Sequence, residues 1–184
     1  MKRKFFTIFI ITILLYGCGQ KSQEETTQKE EEISTKVVFL ENLKKLCGER
    51  IQGEIFIFPN TEPQELHFSF EKCVENEIRM TAQMPNDNLY TIVLTLIGDD
   101  LLLKHDVRNK DQSPAEITMF GGFAQAGNTK NQLFPVHNFG GDMWPGYEGY
   151  SWEICLNKQD QTFEYIEMSE SSIQKHFTAR LPGY

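Results

Sequence analysis

The sequence predicts a mostly β domain, one N-terminal helix followed by about nine antiparallel strands. Two observations predict it. From residue 50 onward apolar and polar side chains alternate with a period of two. Clusters of Gly, Pro, Asn and Asp interrupt that alternation at short, regular intervals.

The helix comes first. Val37, Leu40, Leu43 and Leu46-Cys47 recur at helical spacing, which predicts a helix over Thr35–Cys47. Thr35 can cap its start and Gly48 its end. The strands follow. Leu66, Phe68 and Phe70 alternate with Glu65, His67, Ser69 and Glu71, and Ile78, Met80 and Ala82 alternate with Glu77, Arg79, Thr81 and Gln83. At the other end Ile173, Phe177, Ala179 and Leu181 alternate with Gln174, His176, Thr178 and Arg180. Such segments are strands with one wet face. Further strands are expected at 51–58, 89–97, 101–108, 115–120, 150–156 and 162–168. Pro59-Asn60, Pro85-Asn86-Asp87-Asn88, Gly98-Asp99-Asp100 and Asn157-Lys158-Gln159-Asp160 supply the turns.

Many short strands with tight turns form a barrel or a sandwich, and a closed barrel leaves no exposed edges. A lipocalin-like barrel is favoured, although Gly53-Glu54-Ile55 lacks the Trp that lipocalins carry on the first strand. Residues 121–149 stand apart as a long glycine-rich loop holding Phe123, Phe134, Phe139, Trp144 and Tyr147. Its aromatics argue against disorder, so it is expected to cap the core or to act as a lid or docking surface.

The chain before the domain sets an address. Met1-Lys2-Arg3-Lys4 is basic, Phe5–Tyr16 is apolar apart from Thr7 and Thr12, and Gly17-Cys18 closes the run. That is an export signal. It is shorter than the roughly 20 apolar residues of a membrane-spanning helix. Leu15-Tyr16-Gly17-Cys18 resembles the lipobox of bacterial lipoproteins, with Tyr16 where a small or aliphatic residue is usual. The resemblance implies a signal peptide over 1–17, cleavage before Cys18, and a diacylglyceryl group on its thiol. Each buried CH₂ contributes about 0.8 kcal/mol, and two acyl chains anchor stably where one does not. Gly19 is not the aspartate of inner-membrane retention signals, so the expected place is the cell envelope, at the outer membrane or cell surface. Residues 18–35 read as a polar, flexible tether and 36–184 as one domain.

The formal charge is −8, and removing Lys2, Arg3 and Lys4 without any acid takes the mature chain to −11. Nucleic acid is excluded as a partner, because it selects basic surfaces. Basic proteins fit the field better. Cys47, Cys73 and Cys155 remain after Cys18. An exported chain can hold disulfides, and Cys47–Cys73 is the preferred pair, because both residues fall at element ends. No C-x-x-C spacing, G-x-S-x-G elbow or phosphate-binding loop occurs, and the four histidines complete no metal pattern. No cofactor is implied.

Several stretches resemble an uncharacterised family of small secreted bacterial proteins. They are Leu46-Cys47-Gly48, Cys73 with Glu77-Ile78-Arg79, Leu103-Lys104-His105-Asp106-Val107-Arg108, Thr118-Met119-Phe120-Gly121-Gly122, and Phe134-Pro135. Trp152-x-Ile154 and Phe163-x-Tyr165 also fit. Relatives carry Tyr at the place of Phe120. The resemblance spans about 40–181 and implies one domain type without an activity.

His105-Asp106-x-Arg108 is the densest polar group. Alternation puts His105 with Leu101, Leu103 and Val107 on the apolar face and sends Lys104, Asp106 and Arg108 to the other. Two functional readings follow. One is a non-enzymatic envelope module that binds a small apolar ligand or a protein partner, with His105, Arg108, Phe120 and Trp144 as ligand contacts. The other is a hydrolase using His105 with Glu116 or Asp106 from adjoining strands.

Overall fold

A computed structural model describes residues 34–84, 88–137 and 146–181. One helix precedes eleven strands in a single antiparallel sheet. In chain order they are α1 (Thr35–Lys44), β1 (Arg50–Ile57), β2 (Gln64–Val74), β3 (Glu77–Gln83), β4 (Leu89–Ile97), β5 (Asp100–Arg108) and β6 (Phe120–Phe123). The two-residue β7 (Ala126–Gly127) follows, then β8 (Asn131–Pro135), β9 (Tyr150–Asn157), β10 (Thr162–Ser169) and β11 (Ser172–Arg180). The spatial order is β6-β5-β4-β3-β2-β1-β11-β10-β9-β8-β7.

The sheet curls until its ends nearly meet, so the fold is a barrel, as the alternation predicts. The seam lies between β6 and β8, where the His137 amide donates to the Gly121 carbonyl at 2.8 Å. Two glycines make the seam possible. A Cβ on Gly121 would sit 1.9 Å from the Leu103 carbonyl oxygen, and one on Gly122 would sit 1.7 Å from that of Pro135. Only backbone without a side chain approaches this closely.

Inward residues follow the period of two. Leu66, Phe68 and Phe70 on β2, Ile78, Met80 and Ala82 on β3, and Phe163 and Tyr165 on β10 are all buried. Phe68 and Phe177 meet edge to face at 4.7 Å, a favoured aromatic geometry. Helix α1 plugs one end of the barrel. Phe39, Leu40 and Leu43 are essentially inaccessible, and each contributes about 2 kcal/mol by burial. The helix also reaches four turns at that end. Lys36 Nζ meets Asp100 at 2.6 Å, and Lys44 Nζ donates to the Glu75 carbonyl. Asn42 donates to the Thr129 carbonyl at 3.1 Å and accepts from Lys158 at 3.3 Å. A disulfide between Cys47 and Cys73, with Cα atoms 6.0 Å apart, fastens the end of the helical segment to β2.

Five expectations are corrected. Ser34, not Thr35, caps the helix by accepting from the Lys36 amide. The helix stops at Lys44, three residues early, and its last stretch to Gly48 is a turn. The strand expected at 115–120 begins only at Phe120. There Thr118 takes the Val107 amide with its side chain, and Met119 has φ +58°, which extended backbone excludes. The segment 121–149 is not one loop, because β7, β8 and most of β6 come from it. Finally, Ile173 is not an inward residue but is 43% exposed, because the β10–β11 register shifts at Glu167/Met168.

Candidate functional site

With α1 at one end of the barrel, strand ends and loops among the described residues gather at the other. A cavity of about 530 Å³ opens there. That size is within the roughly 300–1,000 Å³ of small-molecule pockets. Its walls come from strand ends and from the loop after β5. Ile57, Met84, Val107, Ala115 and Ile117 are the aliphatic part, and the rings of Tyr90 and Tyr147 are the aromatic part. Asn88, Glu116 and Lys175 supply the polar groups. Pro114 and Ala115 hold the loop onto β5, through the Arg108–Pro114 bridge and the Ala115 amide to the Val107 carbonyl at 3.0 Å.

Below the cavity the barrel interior is polar to an unusual degree. Glu167 is 3% exposed, yet its carboxylate has two partners. Lys175 Nζ lies 2.8 Å from Oε1, and Trp152 Nε1 donates to Oε2 at 3.2 Å. A buried charge so paired is retained at tolerable cost, whereas an unpaired one is not. Lys175 Nζ also sits 5.8 Å from the centre of the Tyr90 ring, a cation–π distance. Tyr147 stacks on Phe120 at 4.2 Å. Burial, aided by the Glu167 carboxylate, pushes the Tyr147 hydroxyl up to about 12.

His105 is wholly buried beside this group. Its Nε2 is 2.9 Å from the Tyr165 hydroxyl. The rings of Trp152, Phe120 and Tyr90 surround it at 4.6, 4.7 and 5.0 Å. Burial, with a smaller contribution from the Lys175 charge, holds its pKa well below the ordinary histidine value. The ring is therefore neutral at pH 7.

The residues flagged in the sequence separate. Phe120 is buried against His105 and Tyr147, within the cavity floor. Arg108 does not line the cavity; it pairs with Asp106 at 3.1 Å on the outer face and donates to the Gln112 carbonyl at 3.2 Å. Trp144 and Cys18 lie outside the described residues. For the hydrolase reading the geometry is unfavourable. Asp106 faces away from His105, Glu116 is an exposed residue on the cavity wall, and no hydrogen bond among the described residues joins His105 to either. His67 and His176 face outward, and His176 Nε2 lies 3.0 Å from Glu164. Cys155 is half-buried, and burial beside Glu153 pushes its thiol up to about 12, which removes it as a nucleophile at neutral pH. The described residues contain no cluster of His, Cys, Asp and Glu that could hold a metal ion.

The site residues that sequence reasoning missed are Lys175, Glu167, Tyr90 and Tyr165. The signal existed for two of them. Lys175 occupies an inward position two residues before Phe177, and Glu167 one two residues after Tyr165. A charge in the apolar register of a strand marks a paired interior group. No protein-family model, curated protein or solved structure gives a significant match to this chain.

Proposed function

We propose that this chain is a lipid-anchored envelope protein, non-enzymatic, whose barrel takes up a small apolar ligand through its open end. The observation that carries the reading is the cavity of about 530 Å³, walled mainly by aliphatic and aromatic side chains above a neutralised polar floor. Among the described residues the cavity wall and floor pair no nucleophile with a base. His105 is sealed and neutral, and Cys155 is masked by burial. The anchoring part rests on Leu15-Tyr16-Gly17-Cys18 after a basic and apolar leader. Among the described residues no helix is long and apolar enough to cross a membrane.

The stretches that resemble those of small secreted bacterial proteins fall at the floor and the seam of the barrel. Lys104–Arg108 places His105 in the floor, and Thr118–Gly122 forms the loop exit and the seam.

Native mass spectrometry of protein purified from its own host tests the binding claim. A discrete adduct of a few hundred daltons, lost on organic extraction, is expected, and a consistently empty protein would refute it. Metabolic labelling with palmitate tests the anchor. The wild-type chain takes up label and Cys18→Ser does not; equal labelling of both, or of neither, would refute lipidation at this residue.

A further inference from the structure

The cavity wall also carries a charge balance that selects the head of the ligand, an inference that rests on the apolar-ligand reading. Lys175 is the one cationic donor among the described wall residues. Its ammonium has three N–H groups, and Glu167 Oε1 takes one at 2.8 Å. Glu167 is itself closed off, because Trp152 Nε1 fills its other oxygen at 3.2 Å and only 3% of the residue is exposed. Lys175 keeps a quarter of its side chain exposed on the cavity side. The pair as a whole is neutral, yet it turns a donor toward the cavity and keeps its acceptor out of reach. The other charged residue among the described wall residues is Glu116, which is exposed.

We propose that the ligand is an uncharged amphiphile whose alcohol, ester or amide oxygen accepts from Lys175, and that Glu167 excludes carboxylates. A neutral acceptor completes the ammonium and leaves no charge unbalanced. A carboxylate would lose its own hydration to reach a cation already neutralised, with Glu116 adding the same sign. A pure hydrocarbon would displace water from the ammonium and give nothing back.

The test uses mature protein in nanodiscs, titrated calorimetrically with octan-1-ol and with octanoate, with empty nanodiscs as the blank. Wild type is expected to bind octan-1-ol at least tenfold more tightly than octanoate. In Glu167→Gln the amide oxygen still accepts from Trp152, but Lys175 loses its counter-charge. That variant is expected to reverse the order in favour of octanoate, with its melting transition recorded to show that it folds. Preference of wild type for octanoate, or equal affinity for the two, overturns the inference while leaving the ligand cavity intact. An unchanged order in folded Glu167→Gln overturns it as well. If neither probe binds, the apolar-ligand reading falls and takes this inference with it. Should Glu167→Gln fail to fold, the wild-type preference alone decides.

Discussion

His105 should make this barrel sensitive to mild acid. The imidazole is wholly buried among three rings, with Lys175 near, so the folded state resists its protonation. In the unfolded chain it titrates near the ordinary value of about 6.5. The unfolded state therefore binds the extra proton first, and stability present above about pH 6.5 is lost as the pH falls below it. One proton taken up only on unfolding costs about 1.4 kcal/mol per pH unit. The loss therefore begins near pH 6.5 and grows with acidity at no more than that rate. Glu77, held below the usual carboxylate value mainly by Arg79, adds a further loss only near and below its ordinary value of 4.5. That loss is common to wild type and to His105→Gln, whose amide can still engage the Tyr165 hydroxyl. Urea unfolding of both proteins across this range isolates the histidine. The difference in stability should narrow or reverse in favour of the variant on going from pH 7.5 to 4.5, by no more than about 1.4 kcal/mol for each pH unit below 6.5. Parallel pH profiles would show that His105 takes up its proton in the folded barrel, and the sealed, neutral floor would be wrong.

Two other perturbations have expected outcomes. Replacing Cys47 and Cys73 together with serine opens a loop of sequence separation 26, and urea unfolding should show a loss of about 3–4 kcal/mol by chain entropy. Gly122→Ala drives a Cβ into the Pro135 carbonyl, and its melting curve should show a loss on the order of 3 kcal/mol, against about 1 kcal/mol for Gly98→Ser, which meets no atom and is strained only by its φ of +61°.

The sheet was legible because the barrel buries one face only, and period two is then written into the chain. Leu66–Phe70 and Ile78–Ala82 show it plainly, and both strands form where expected. β8 was not legible for the converse reason. Its inward residues are Gln132, 1% exposed and donating to the Asn128 carbonyl, and Phe134, while Leu133 lies on the other face. One polar residue inside and one apolar residue outside break the alternation in so short a strand, so the segment reads as loop. Thr118-Met119 misled in the other direction, since β-branched and apolar residues suggest a strand while the Thr118 side chain and a left-handed Met119 close a turn. The burial of His105 and its separation from Asp106 follow from alternation alone. The cavity does not, because it is assembled from Ile57, Val107, Ile117 and Lys175, which only the closed sheet brings together.

Blocking the cavity without touching the fold puts the binding claim at greatest risk. Ala115 lines the open end and is only half-buried, so Ala115→Trp fills the space from its rim. Mature protein in nanodiscs is titrated with the neutral dye N-phenyl-1-naphthylamine, with empty nanodiscs subtracted. Wild type should show saturable fluorescence at one dye per chain, and Ala115→Trp none, with matching melting curves. Equal uptake by the two proteins, or none by either, would contradict a ligand site in the open end of this barrel.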